Sequence, residues 1–453
     1  MSQSVIDARM LTRRGRYLAI LRLGLPILVG QVGQIVVGFA DSAMVGHYST
    51  DALAAASFVN NIFNIAILMC LGFTYGLTPL IGALYSASRN EDIGATLHRG
   101  IRLNFMFSMV ITVMMGVLYL NVDKLGQPEH LLPLIRPYFL IYLGTVAAVS
   151  LFQTFAQTSY AVNASMMPMW VVLMCNVANI GGNWLLIYGN MGFPELGLTG
   201  AGISTFVSRW AAVVIIVLIF AVAKRYRPYR PTALRPGSYG HRAVMIFRTS
   251  MPVSLQMGLE TASFSVAAVM AGWLGRNQLA AFQIFVTIGS LGFVIYYGMA
   301  AAMSALVANA SSCRDAERHM RAIAGSGYVI ILALAAVACA VFLWAGSHLI
   351  SVFTDDKAVI AMTASMIVPL VMYQLGDATQ INFANALRGT ANVMPMVWIA
   401  FFSYVVIGIP TTYVMAFVFG WGIVGIAFSF SVSLFTAGAL FLYTFMRTTR
   451  RRG

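Results

Sequence analysis

The chain has 453 residues, 59% of them hydrophobic and only 9% charged, with 28 Lys and Arg against 14 Asp and Glu. That composition excludes a soluble globular protein and leaves no room for a large soluble domain. It excludes a membrane barrel as well, whose short strands alternate apolar with polar residues.

Twelve apolar runs follow one another, at about 20–46, 53–86, 98–121, 132–160, 167–190, 197–223, 243–274, 279–311, 322–350, 358–387, 394–418 and 422–446. Each predicts a membrane-spanning helix, and several exceed the roughly 20 residues needed, so tilt or protrusion is expected. Arg9, Arg13, Arg14 and Arg16 precede a first run too long for a cleaved signal, so it reads as the first span. With the N-terminus inside, 23 Lys and Arg fall on the inner side and four on the outer: Lys124, Arg136, Arg276 and Lys357. This asymmetry predicts both termini in the cytoplasm of an inner (plasma) membrane. It also accounts for the net charge of +14 without nucleic acid, which is not an expected partner. Arg209 is left inside the sixth span, either as a partner for a carboxylate or snorkelling to an interface.

The chain repeats itself. Shifted by 226 residues, Pro26 falls on Pro252, and "MVGHYSTDALAA" (44–55) falls on "MAGWLGRNQLAA" (270–281). Gly72 meets Gly298 and Leu80 meets Leu306. Six spans per half is an even number, so the halves share one orientation, a known transporter plan. The expected domains are an N-terminal six-helix lobe (1–223), a basic linker (224–242) and a C-terminal lobe (243–453). The linker, "KRYRPYRPTALRPGSYGHR", reads as a solvated cytoplasmic loop that sets orientation.

Cys70, Cys175, Cys313 and Cys339 are scattered and suggest neither a disulfide framework nor a metal site. His47 and His98 lie near predicted helix ends and read as interfacial. No Walker motif, zinc motif, nucleophile elbow or dinucleotide fingerprint is present in the sequence. An enzyme is therefore not expected, nor any cofactor, and ATP is not the expected energy source.

Eleven of the 14 acidic residues fall in tails, connections or helix ends; Asp41, Glu260 and Asp377 fall within spans. A carboxylate near the bilayer centre costs about 3 kcal/mol on insertion scales, so each needs a partner, a proton or a cation. In "QMGLETAS", Gln256 and Ser263 share a helix face with Glu260. In "YQLGDATQINFAN", Tyr373 and Gln380 flank Asp377 at four and three residues. If Glu260 and Asp377 meet, two carboxylates and a phenol make an oxygen site for Na⁺. Alternatively, the pair holds a proton, because like charges raise one pKa. A third reading makes each a protonated structural residue. In the first half, Gln31, Gln34 and Asp41 share one face, and Asn176, Asn179 and Asn183 share another. These asparagines suit either a polar cavity or ordinary interhelical hydrogen bonding. Glu260 corresponds to Gln34 in the repeat and Asp41 to Ala267, so the halves are chemically unequal.

Three stretches carry a family resemblance: "ADSAMVGHYSTDALAAAS", "NWLLIYGNMGFPELGLTGAGIST" and "ALRGTANVMP". They resemble the multidrug and toxic compound extrusion (MATE) transporters, over essentially the whole chain. Glu260, Tyr373 and Asp377 together look like the NorM-type branch. The resemblance implies an all-α protein of two parallel six-helix lobes forming a V, with a central cavity that alternates in access. It implies export of organic cations, often drugs and dyes, in exchange for Na⁺ or H⁺. It places the cation, Na⁺, at Glu260, Asp377 and Tyr373. It adds Asp41 as the N-lobe carboxylate, with Asn179, Asn183 and Thr205 near it, and Gln34, Gln256 and Gln380 remain supporting polar residues. Some branches carry Asp where this chain has Asn183, which leaves a single carboxylate in that cluster. The expected working unit is a monomer. The competing readings are a lipid-linked oligosaccharide flippase or a metabolite exporter of the same superfamily. Three embedded acids against one Arg favour cationic cargo.

Overall fold

The computed structural model describes residues 12–450 apart from 236, 238, 239, 314, 352 and 355. Arg9, Arg314, Arg451 and Arg452, which entered the charge comparison, lie outside the described residues, as do Asp7 and Asp355 among the acids. Among the described residues the regular elements are all helical, with 11 helices long and apolar enough to cross a membrane and a bent pair that makes up a twelfth. The protein is a multi-pass membrane protein. The first six spans are α1 (Arg13–Tyr48), α2 (Thr50–Ser86), α3 (Asn90–Leu120), α4 (Glu129–Ala161), α5 (Met166–Tyr188) and α6 (Gly197–Val222). The rest are α7 (Ala243–Leu274), α8 (Arg276–Ala310), α9 (Ala316–Gly346), α10 (Lys357–Ser365 with Ile367–Gly389, bent by 48°), α11 (Met394–Val418) and α12 (Gly422–Arg450).

Each span coincides with one expected run. The starts of α1, α3 and α9 come several residues early, because hydropathy marks what crosses the bilayer and not where helical hydrogen bonding stops. Acidic residues in the first turn, Glu91 and Asp92 of α3 and Glu317 of α9, complement the helix dipole there. Pro26 and Pro252 lie inside α1 and α7 and each removes a backbone donor. Helix α11 departs from α geometry at Phe401–Gly408 and Val414–Val418, which are π-helical. A π turn holds an extra residue, so side chains beyond it are rotated from their α-helical direction.

The chain packs as two compact units, Val29–Ser254 and a second that joins Met1–Leu28 to Leu255–Gly453. The lobes expected at 1–223 and 243–453 therefore exchange short stretches, and the boundaries run through α1 and α7. Packing gives the reason. In the second unit, Ile20, Leu23 and Ile27 of α1 are buried. A Cβ on Gly24 would lie 2.8 Å from Met299 Sδ, and one on Gly298 would lie 2.8 Å from Leu28 Cβ, so α1 and α8 approach almost backbone to backbone. In the first unit, Ile246 at the start of α7 belongs to a core with Leu77, Leu80, Tyr226 and Tyr229, and Ser254 Oγ donates to Met69 O at 2.8 Å.

The linker corrects an expectation. It is not a solvated loop but packs on the first unit as a 3₁₀ turn (Lys224–Tyr229) and a short helix (Arg230–Leu234). Tyr226 and Tyr229 are buried. Two of its arginines cap helix ends: Arg230 donates to Phe220 O and Ala223 O at the end of α6, and Arg225 to Val162 O beyond α4. Helices leave their last carbonyls without partners, and guanidinium groups satisfy them. Asp92 Oδ1 accepts from the Gly240 amide at 2.6 Å, Thr96 Oγ1 accepts from the His241 amide at 3.1 Å, and Arg99 donates to His241 O and Gly237 O. His98 Nδ1 lies 2.7 Å from Ala233 O, which makes it a linker contact. The four cysteines are free.

Candidate functional site

Each unit holds a polar cluster built from the sequence candidates. In the second unit α7 supplies Gln256 and Glu260, one turn apart. Gln256 Nε2 donates to Glu260 Oε2 at 2.9 Å. Ser263, expected on the same face, donates instead to the Glu260 backbone carbonyl at 2.8 Å and so serves the helix. Helix α10 supplies Tyr373, Asp377 and Gln380, all buried. The Tyr373 ring is held edge-on by Phe264 and Phe285, at centroid separations of 6.5 and 5.7 Å. Glu260 and Asp377 come close enough for their charges to interact, and Tyr373 is within reach of both. The two helices thus bring together the acidic pair that the sequence separates.

Tyr404 of α11 joins them. Its hydroxyl is buried beside Glu260, outside hydrogen-bonding geometry. Asp377 Oδ2, Gln256 Oε1 and Gln380 Oε1 are likewise buried without hydrogen-bond partners. Among the described residues neither Glu260 nor Asp377 forms a salt bridge. Acceptors exceed donors, so the arrangement suits an added positive species, a proton or a hard monovalent cation bound by oxygen. No group of three or more His, Cys, Asp or Glu that could hold a metal occurs among the described residues. An ion here would rest on two carboxylates together with neutral oxygens.

In the first unit a cavity of about 540 Å³ is lined by Gln34 and Asp41 of α1, Asn176 and Asn179 of α5, and Thr205 of α6, all of them sequence candidates. Asn183 is buried behind them and its Nδ2 donates to Asp41 Oδ1. Asn179 Nδ2 lies 3.4 Å from both Ser204 Oγ and Thr205 Oγ1. Gln31 is not among the lining residues.

The MatE family model matches residues 26–185 and again 252–414. The chain belongs to the MatE family. The two matches start 226 residues apart, the same offset as the internal repeat. The chain is 27% identical to a probable multidrug resistance protein NorM of Photorhabdus laumondii, over 95% of each chain. It is 26% identical to the multidrug resistance protein NorM of Vibrio cholerae, over 87% of this chain and 86% of that one. The fold matches the crystal structure of the eukaryotic MATE transporter AtDTX14 with a TM-score of 0.87, at 18% identity and over 98% and 99% of the two chains. A transporter rather than an enzyme agrees with these relatives.

Within this MatE-family fold, several cavity residues escape a reading from sequence. Asn60, Asn61 and Asn64 of α2 and Tyr138, Tyr142 and Gln153 of α4 line the same cavity, together with Arg209 of α6, which the sequence had already singled out. The stretch "VNNIFN" was a legible signal, since three amides within five positions are unusual in an apolar span. Tyr404 gave none. It sits in "FFSYVVIG", where aromatic and apolar neighbours disguise it, and a π-helical backbone sets its direction.

Proposed function

We propose that the chain is a multidrug efflux transporter of a bacterial inner membrane, which exchanges organic cations for Na⁺ or H⁺ by alternating access. The relatives named for multidrug resistance support the cargo class, and the Lys and Arg asymmetry supports cytoplasmic termini. One observation carries the coupling. Glu260 and Asp377 share the second unit's cluster with Gln256, Gln380 and Tyr404, and Asp377 Oδ2, Gln256 Oε1, Gln380 Oε1 and the Tyr404 hydroxyl are buried there without hydrogen-bond partners. Glu260 and Asp377 are the proposed ligands for the coupling ion, with Tyr373, Tyr404, Gln256 and Gln380 supplying neutral oxygens. Asp41, with Asn179, Asn183 and Thr205, is proposed to serve the cargo in the first unit. A single chain holds both clusters, so a monomer is the proposed working unit. If the ion weakens cargo affinity, cargo weakens ion affinity by the same factor, and that reciprocity drives exchange.

Dye transport in proteoliposomes tests this, with an imposed Na⁺ gradient and, separately, a pH gradient. Glu260→Gln and Asp377→Asn are expected to abolish gradient-driven transport while the protein still inserts and folds. Gradient-driven transport that persists unchanged in either variant removes this cluster as the coupling site.

A further inference from the structure

We propose that the linker end of the first unit binds an acidic phospholipid, with Arg102 and Arg235 on its phosphate and Leu234 against the upper part of its acyl chains. Such a site is independent of what the protein exports.

Helix α3 sets the depth. Phe105, Met106, Val110 and Val113 are exposed and recur every three or four residues, a stripe that faces lipid. Arg102 stands at the end of that stripe and is itself exposed. A basic residue in that position marks where hydrocarbon gives way to headgroups. One turn further, His98 Nδ1 lies 2.7 Å from Ala233 O of the linker. Arg99 donates to Gly237 O at 3.0 Å and to His241 O at 3.1 Å. Four residues of helix rise about 6 Å, and the headgroup layer of one leaflet is about 5–7 Å deep. The docked linker therefore crosses α3 at the depth of the lipid phosphates.

Docking sorts the linker's side chains. Tyr226, Tyr229 and Thr232 turn inward and are buried. Leu234 is left 79% exposed, a costly placement in water and a favourable one at an acyl boundary. Arg235, next along the chain, is exposed, and among the described residues neither it nor Arg102 forms an ion pair. The linker contains no acidic residue. On α3, Glu91 and Asp92 lie eleven and ten residues from Arg102, about 15 Å along the axis, and Asp92 is engaged by Arg89 and the Gly240 amide. Two guanidinium groups without a local counter-charge, beside an exposed leucine, complement a phosphate that carries acyl chains, and the guanidinium fork matches phosphate oxygens. A soluble acidic partner has no access at this depth, whereas lipid is already there. Arg235 belongs to the linker and Arg102 to α3, so one headgroup that engages both fastens the linker to the helix.

Hydrogen exchange of the full chain in nanodiscs tests this, in phosphatidylcholine alone and in an equal mixture with phosphatidylglycerol. The amide of Arg235 donates to Pro231 O at 3.0 Å and reports on the short linker helix. The quantity read is the ratio of its exchange rates in the two lipids, in which intrinsic rates cancel. Acidic lipid is expected to slow exchange by about 25-fold, about fivefold for each arginine beside a charged leaflet. Arg102→Gln and Arg235→Gln are each expected to remove about fivefold of that protection, and the double substitution all of it. Leu234→Gln is expected to speed exchange in both lipids alike, since acyl chains are common to them, and no change in either removes Leu234 from the site. Inorganic phosphate added to phosphatidylcholine discs is expected to leave exchange as it is. Full protection by phosphate alone overturns the lipid assignment in favour of a free anion. Equal exchange in the two lipids overturns the proposal, and so does protection undiminished in the double variant.

Discussion

Asp92→Asn isolates the attachment of the linker to α3. Asp92 is 7% exposed. One carboxylate oxygen accepts from the Gly240 amide at 2.6 Å and the other from Arg89 Nε at 2.5 Å. An asparagine of the same shape retains one acceptor oxygen and turns an NH₂ group toward the other donor. Kept toward the charged Arg89 guanidinium, that oxygen leaves the NH₂ facing the Gly240 amide, so the charge-assisted bond to the linker is lost. That loss is worth about 1.5–3 kcal/mol. Taking about 2 kcal/mol, the open linker becomes roughly 30 times more populated. Hydrogen exchange followed by mass spectrometry reads this directly, because the Gly240 and His241 amides bond to Asp92 and Thr96 across the same junction. Both amides are expected to exchange faster by that factor, while the buried turns of α3 are unaffected. Acceleration of the Gly240 amide alone would confine the effect to one bond. Exchange unchanged at both positions refutes the claim that Asp92 holds the linker.

Gly94→Ala should open the same junction by a steric route. The new Cβ would stand 2.1 Å from Tyr229 O and 2.3 Å from Thr232 Oγ1. The usual gain of about 1 kcal/mol for Ala over Gly in a helix should then reverse, and exchange across 224–234 should rise. Acid should loosen the linker as well. Burial holds the His241 imidazole below its ordinary value of 6.5, the Arg89 charge adds to this, and Asp92 opposes it. The docked linker therefore favours neutral His241. Docking is undiminished above pH 6.5 and weakens as pH falls from there toward the lower docked value. Exchange corrected for its intrinsic pH dependence, and flat from pH 7.5 to 5.5, would contradict this. Tyr404→Phe removes a buried hydroxyl without a partner, so stability without ion should hold or rise by up to about 1 kcal/mol. Na⁺ affinity should fall about tenfold, read as a smaller Na⁺-dependent rise in the unfolding midpoint. Equal Na⁺ stabilisation of variant and parent would exclude Tyr404 as a ligand.

The sequence by itself determined the class, the number of spans and the repeat. Bilayer crossing demands long apolar helices whatever their neighbours, and a 226-residue offset is a property of the chain alone. It also exposed Asp41, Glu260 and Asp377, because carboxylates are conspicuous where every other choice is apolar. Tertiary structure decided what these residues meet. Pairing Glu260 with Asp377 needs α7 against α10, and Tyr404 needs a π-helical backbone that no periodicity announces. The ends of α1 and α7 change units because Gly24 and Gly298 permit close approach of α1 to α8, and Gly76 permits that of α7 to α2, a fact about pairs of helices. The basic linker looked solvated because charge reads as exposure in one dimension. In three dimensions two of its arginines, Arg225 and Arg230, find the open carbonyls at the ends of α4 and α6, and those carbonyls become partners only when the helices end side by side.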